Sequence, residues 1–344
     1  MKLRLACLIG LLISVSSCAA GPGNVLVLVN DNSPESKEIA AYYVAKRKIP
    51  SKNVFHIKCV ANDDYTTLAD YYKLIEKPVK AHLKKSGLPI DYIVTTRGIP
   101  MGVMTHGMSV DSMLAAMDLN ITVDKPQQGV RNPYFATSEP FSHKKFGIYL
   151  VTRLDGYTLQ DAKALVDRSL AAKTAKGTFL IDTTPQRSEG GYGMMSKAMD
   201  EAHRMIIGKG YVCYYDDKPE FVGDLKNLMG YFSWGSNDAA YSLEKYKSNE
   251  YRPGAIAETA VSTSARTFKR TEGGQSRVTD LIEAGVTGIK GYVTEPTLAA
   301  IADPRILFVS YLSGRNLAES YYAASRWICW RDVVLGDPLC APYK

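Results

Sequence analysis

The stretch "NVLVLVN", Asn24–Asn30, is followed almost at once by Ser33-Pro34-Glu35. Five aliphatic residues in a row, with no polar alternation, describe a strand covered on both faces, as strands of a parallel sheet under helices are. Ser33 is suited to cap the next helix, Pro34 to stand at its first position, and Glu35 to lie at its positive end. A buried strand delivered directly into a capped helix is the unit from which α/β folds are assembled.

The same alternation continues along the chain. Strand-like runs are "NVFHIKCV" (53–60), "IDYIVTTRGIP" (90–100), "FGIYLVTRL" (146–154), "GTFLIDTT" (177–184), "GYVCYYD" (210–216) and "NLMGYFSWGSND" (227–238). They are followed by "GAIAETAVS" (254–262), "GVTGIKGYVTEP" (285–296) and "DVVLGDPLCAPY" (332–343). Between them lie helical patterns: Leu68–Lys85, broken near Pro78 and closed at Gly87; a helix opened by Thr158 and Asp161 at capping-box spacing; Met194–Ile207; Val278–Ala284, ending before Gly285; and one opened by Asn316 and Glu319. The expected fold is α/β, a largely parallel sheet flanked by helices in two tandem halves, 21–175 and 176–344. Residues 101–142 are the least regular, with a short helix expected in "SVDSMLAAM".

The first 20 residues read as an export signal. Lys2 and Arg4 precede the apolar core "LACLIGLLISV", too short for a membrane-spanning helix. The core ends in Val15-Ser16-Ser17-Cys18-Ala19, which resembles the lipoprotein cleavage box, so Cys18 is the expected lipid-bearing residue. Cleavage after "SCAA" would instead discard it. Ala19 carries no acidic retention signal, so an outer-membrane or cell-surface lipoprotein is expected, with a periplasmic or secreted protein as the alternative. Loss of residues 1–17 removes two of 42 basic residues and none of 35 acidic ones, so the formal charge falls from +7 to +5. Without a Lys/Arg run, this gives no nucleic-acid footprint. Cys59, Cys213, Cys329 and Cys340 show no CxxC spacing and are expected as buried small residues or as one or two disulfides. No metal or cofactor is expected.

Ligands of open α/β sheets sit beyond the carboxyl ends of the strands. Polar residues cluster at four expected strand ends: Arg97; Ser233, Trp234, Ser236, Asn237 and Asp238; Glu258, Thr259, Ser262, Thr263 and Ser264; and Glu295. Each group would also serve as turn and cap residues. As a set, Arg97, Trp234, Ser236, Asn237, Asp238, Glu258, Thr259, Ser262 and Glu295 form the expected binding crevice. Among the 22 tyrosines, those of "ADYYKL" and "ESYYAAS" are expected on helix faces against the sheet, the alternative being rings at a cleft that stack on sugars or peptide segments.

The segments "NVLVLVNDNSPES", "TTRGIP", "SVDS", "GYFSWGSND", "RPGAIAETAVSTSARTF", "EAGVTGIKGYVTEP" and "WRDVVLGDPLCAPY" resemble an uncharacterised family of exported bacterial proteins. That family in turn is similar to the gingipain and clostripain peptidases, whose fold is caspase-like. There a strand ending in Gly-His-Gly-Ser supplies the base, the next strand supplies a nucleophilic cysteine, and a Gly-Asp-Pro motif follows, matched here by Gly336-Asp337-Pro338. This chain has Ser233-Trp234-Gly235-Ser236 at the first place and Ala257-Glu258-Thr259-Ala260 at the second. An indole accepts no proton at neutral pH, and no thiol stands where the nucleophile would. The resemblance therefore implies the scaffold without the Cys-His dyad, and a binding module for a peptide, a glycan or an envelope protein in the crevice. The alternative is an envelope hydrolase built from Ser236, Asp238, Glu258 or Ser262, with Asp111 as a further carboxylate and His106 as base. His56, His82, His143 and His203 are scattered, and Cys213 lies within a strand pattern. Asp238 and Glu258 could also form a glycosidase-type pair or hold calcium.

Overall fold

The computed structural model describes residues 20–61, 63–104, 107–119, 121, 129–174 and 176–344, so Cys18 and His106 lie outside the described residues. Ten strands form one sheet: β1 (Val25–Asn30), β2 (Val54–Ile57), β3 (Tyr92–Thr96), β4 (Leu150–Leu154), β5 (Thr178–Asp182), β6 (Val212–Asp216), β7 (Leu228–Ser233), β8 (Tyr251–Thr259), β9 (Gly288–Tyr292) and β10 (Asp332–Leu335). Their order is β6-β5-β7-β8-β9-β10-β4-β3-β1-β2. Every neighbouring pair is parallel except β9–β10, whose register pairs Ile289 with Leu335 and Tyr292 with Asp332. β1–β4 form one parallel group and β5–β9 another, with β10 between them and antiparallel to β9. The fold is α/β, with a largely parallel sheet between helices.

The local signals act as their chemistry requires. All six residues of β1 are buried. Ser33 caps α1 (Pro34–Arg47) by accepting the Ser36 N–H, which satisfies one of the free donors at the helix start. Thr158 and Asp161 close a reciprocal capping box on α2 (Leu159–Ala171). Further on come α3 (Gly190–Gly208), α4 (Val278–Ala284), α5 (Pro304–Leu312) and α6 (Leu317–Ala324).

Two expectations are modified. Pro78 does not break its helix; the chain relaxes through a wide π turn, Tyr71–Glu76, so that the proline falls at the start of the next α-helical segment, Lys77–Ser86, where its missing N–H is not needed. Asn316 caps α6 through the Glu319 N–H, but the reciprocal half of the box is not made, because the Glu319 carboxylate accepts the Tyr92 hydroxyl at 2.7 Å.

Helices cover both faces. On one, α5 and α6 approach closely: a Cβ on Gly230 would meet Phe179 and Phe308, and one on Gly288 would meet Leu317. On the other, a Cβ on Gly291 would meet Val278 of α4. The irregular region is also core, since Val110–Ala115 is a helix buried at every position. The four cysteines Cys59, Cys213, Cys329 and Cys340 are buried and unpaired.

The order of strands reverses twice. β1 lies between β2, which follows it, and β3; β5 lies between β6 and β7. Crevices in α/β sheets open at such reversals. Both reversals here have a hollow nearby.

Candidate functional site

In the second strand group, β5, β7, β8 and β9 release their chains at one edge. Ser233 is level with Asp182 on one side and Thr259 on the other. Beyond that edge lies a hollow of about 270 Å³, lined by Arg187, Asn237, Ser262, Gln275, Glu295 and Leu298 among others. Of the expected crevice residues, Asn237, Ser262 and Glu295 line it.

Its wall is held by Asn237. The side-chain amide of Asn237 donates to the Ala260 carbonyl at 2.6 Å, while its Oδ1 accepts from Gln275 at 3.2 Å. Its backbone carbonyl accepts both the Nε (2.9 Å) and an Nη (2.5 Å) of Arg187. The segments after β5, β7 and β8 are thus fixed to one another. The turn that places Asn237 needs glycine at 235, where φ is +49° and a Cβ would stand 2.8 Å from both Ser276 and Val261. The Arg187 guanidinium lies over the Tyr192 ring (4.5 Å) and the Trp234 ring (5.6 Å), a cation–π arrangement that keeps its plane fixed while part of its donor set stays free.

Trp234 supports the hollow from behind. Its indole is fully buried and donates to Thr183 Oγ1 at 3.3 Å. Ser236 is knitted to Ser276: each backbone N–H donates to the other's hydroxyl, at 3.1 and 2.9 Å. Asp238 is buried and accepts the Ala240 N–H at 2.8 Å, a turn-capping role. Burial raises its carboxyl above the ordinary range. Thr259 is fully buried, with no hydrogen bond to its hydroxyl from the described residues.

Two expected members belong elsewhere. Glu258 alternates with Thr259 along β8 and faces the opposite side of the sheet, where it is sealed under helices. There it accepts the Tyr292 hydroxyl at 3.3 Å, and burial pushes its carboxyl up to about 8. Lys290, on the same side, donates to the Ala300 carbonyl and to Ser325 Oγ. The carboxylate pair Asp238 and Glu258 therefore shares no cleft for glycosidase chemistry or calcium. Arg97 is the second correction. It follows β3, in the first strand group, and pairs with Glu35 (3.0 Å) and Asp155 (2.9 Å). It lines a separate hollow of about 360 Å³ with Asp63, Asp64, Phe268 and Lys269, near the reversal at β1. The segment after β8 touches both hollows, through Ser262 and Gln275 in one and Phe268 and Lys269 in the other.

None of the described histidines or cysteines lines the smaller hollow. His56 pairs with Asp31 and His143 with Asp118, while His82 stacks on Phe55 and His203 lies beside Tyr215. Burial pushes the thiols of Cys59, Cys213 and Cys329 up to about 12 and that of Cys340 to about 11, which holds all four as neutral thiols. Asp111 is tied to the buried Arg153. No group of three or more His, Cys, Asp or Glu side chains is placed to hold a metal ion among the described residues. Burial, with repulsion from Asp238 and Asp216, pushes the Asp182 carboxyl up to about 8.

Sequence reasoning missed Arg187, Tyr192 and Gln275. Arg187 lies in "TTPQRSEGG", which follows the β5 run and reads as a linker. The available signal was its place after the strand at which the order reverses.

No family model and no curated protein matches the chain. Among solved structures, one described as "Structure of Protease" is similar at 11% identity with a TM-score of 0.49, over 94% of this chain and 79% of that one. The Saccharomyces cerevisiae separase–securin complex is similar at 9% identity with a TM-score of 0.33, over 55% of this chain and 14% of that one.

Proposed function

We propose that this chain is an exported, lipid-anchored binding module that grips one residue of a peptide-like ligand in the hollow at the ends of β5, β7, β8 and β9. The observation that carries this reading is the content of the hollow: donors and acceptors without a nucleophile joined to a base. Arg187 offers unspent N–H groups, Asn237 and Gln275 offer amides, and Glu295 offers a carboxylate. No hydrogen bond reaches the Ser262 hydroxyl from the described residues, and its neighbours in the hollow include no imidazole. A volume of about 270 Å³ lies below the roughly 300–1,000 Å³ usual for whole small molecules, which favours one residue of a longer chain. Guanidinium on one side and carboxylate on the other suit a segment bearing both charges. The caspase-like reading rests on the sequence motifs, and the adjacency of β7 and β8 fits it, because the segments at the base and nucleophile places then leave neighbouring strands. Export and the anchor at Cys18 rest on the leader.

The test is titration of the purified mature protein with a library of short peptides and glycan fragments, read by thermal shift. Saturable stabilisation by charged peptides, abolished by Arg187→Ala, supports the reading; glycan binding that ignores Arg187→Ala overturns it. One observation favours a hydrolase instead: Ser262 and Glu295 share the hollow. Fluorophosphonate labelling lost in Ser262→Ala would establish that reading.

A further inference from the structure

We propose that the face carrying Ala20 is a membrane-apposed surface that engages anionic lipid headgroups, an inference that rests on reading Cys18 as the acylated anchor. Ala20, Gly21 and Pro22 line a hollow of about 730 Å³ together with Lys46, Lys48 and Arg315. An adjoining hollow of about 950 Å³ shares Asp91, Pro140 and Phe141 with the first and adds Lys80, Lys84 and Lys144.

The linings also hold Asp91, Asp118 and Glu319, which the basic residues outnumber. Lys46 and Lys80 have only long, half-exposed pairs, each at 3.7 Å, with Asp167 and Asp118. Lys48, Lys84 and Lys144 are exposed and have no ion pair among the described residues. Arg315 donates to the backbone carbonyls of Thr137 and Glu139, which hold its plane without cancelling its charge.

Covalent geometry places this face against a bilayer. Cys18 stands two residues before Ala20, a reach of about 7 Å at most. That is within the ~8 Å over which charge acts at physiological ionic strength. Acyl chains at Cys18 therefore hold the Ala20 face near the headgroups, and acylation joined to a basic surface gives a firmer hold than either alone. The candidate ligand hollow lies at the other edge. Pro342, beside the lining residue Ala341, packs against Gly254 near the start of β8. Ala260 follows the end of that strand, about 20 Å away at the usual strand rise. The membrane-side face and the hollow are thus separated by the length of a strand.

The test uses the Cys18→Ser protein, which carries no acyl chain, with vesicles of phosphatidylcholine alone or mixed with phosphatidylglycerol. Salt-sensitive binding to the mixed vesicles only is expected. Each neutralised lysine should weaken it about fivefold, so Lys48→Gln with Lys84→Gln and Lys144→Gln together should lower it more than about tenfold. Absence of binding to mixed vesicles at low salt overturns the proposal. So does undiminished binding by the triple variant when its melting temperature is unchanged. The mass of the parent protein isolated from membranes reports separately on the anchor: an unmodified Cys18 refutes acylation, while the vesicle result still decides the surface.

Discussion

Asn237 donates to the carbonyl of Ala260 at 2.6 Å, fastening the turn after β7 to the segment leaving β8. With the bonds to Gln275 and Arg187, this single residue joins three stretches of chain distant in sequence. Asn237→Ala should lower stability by about 1–3 kcal/mol, since it strands the Ala260 carbonyl and the Gln275 amide. The loss of ligand response should exceed what that destabilisation explains. Urea denaturation beside the peptide titration checks both; unaltered binding would remove Asn237 from the site.

Trp234 separates ring packing from its hydrogen bond. Trp234→Ala empties a fully buried volume and should cost about 3–5 kcal/mol. Trp234→Phe keeps much of the contact with Tyr192 and Arg187 but abandons Thr183, and a loss of about 1 kcal/mol is expected. Equal losses in the two variants would show that the ring does not pack as described.

The raised carboxyls of Glu258 and Asp182 set a pH signature. Each holds its proton in the folded chain up to about pH 8, whereas the unfolded chain releases it near pH 4. Between those values the folded state binds more protons, so stability falls as pH rises through this window and levels off above about 8. Glu258→Gln keeps an acceptor for the Tyr292 hydroxyl and removes one of the two titrations. Its stability curve from pH 5 to 9 should be flatter than the parent's, with the variant gaining on the parent toward the alkaline end. Parallel curves would show that Glu258 does not titrate in this window.

Asp337 is fully buried and accepts from Arg47 at 2.5 Å, from Tyr43 at 2.9 Å and from the Leu339 N–H at 3.0 Å. Asp337→Ala leaves a largely buried guanidinium without its counter-ion and should cost about 3–5 kcal/mol. Ligand response of the fraction that still folds should be intact, because this network lies at the edge away from the hollow. Calorimetry and titration of the same preparation distinguish the two effects.

How much of this was legible depended on the physical range of each signal. Local chemistry was readable: Ser33 capping α1, Thr158 with Asp161 on α2, and the apolar run of β1 are short-range effects. The clustering of polar residues at strand ends was readable as well, and brought Asn237, Ser262 and Glu295 to one hollow. Facing was not. Glu258 and Thr259 are neighbours on one strand, and only the register of β8 against β7 and β9 decides which of them meets which layer. Nor was strand order, which sets β10 and β4 between the strand that Arg97 follows and the strands around the hollow. The Glu319 carboxylate was drawn from its local cap by Tyr92, 227 positions away, a partner that no window of sequence contains.

The segment from Ser262 to Lys269 and on to Gln275 borders two separate recesses, one set between Arg187 and Glu295 and one rich in carboxylates. It leaves a central strand, β8, and leads into α4, the helix before β9. The recesses near the two reversals of strand order thus share one stretch of wall.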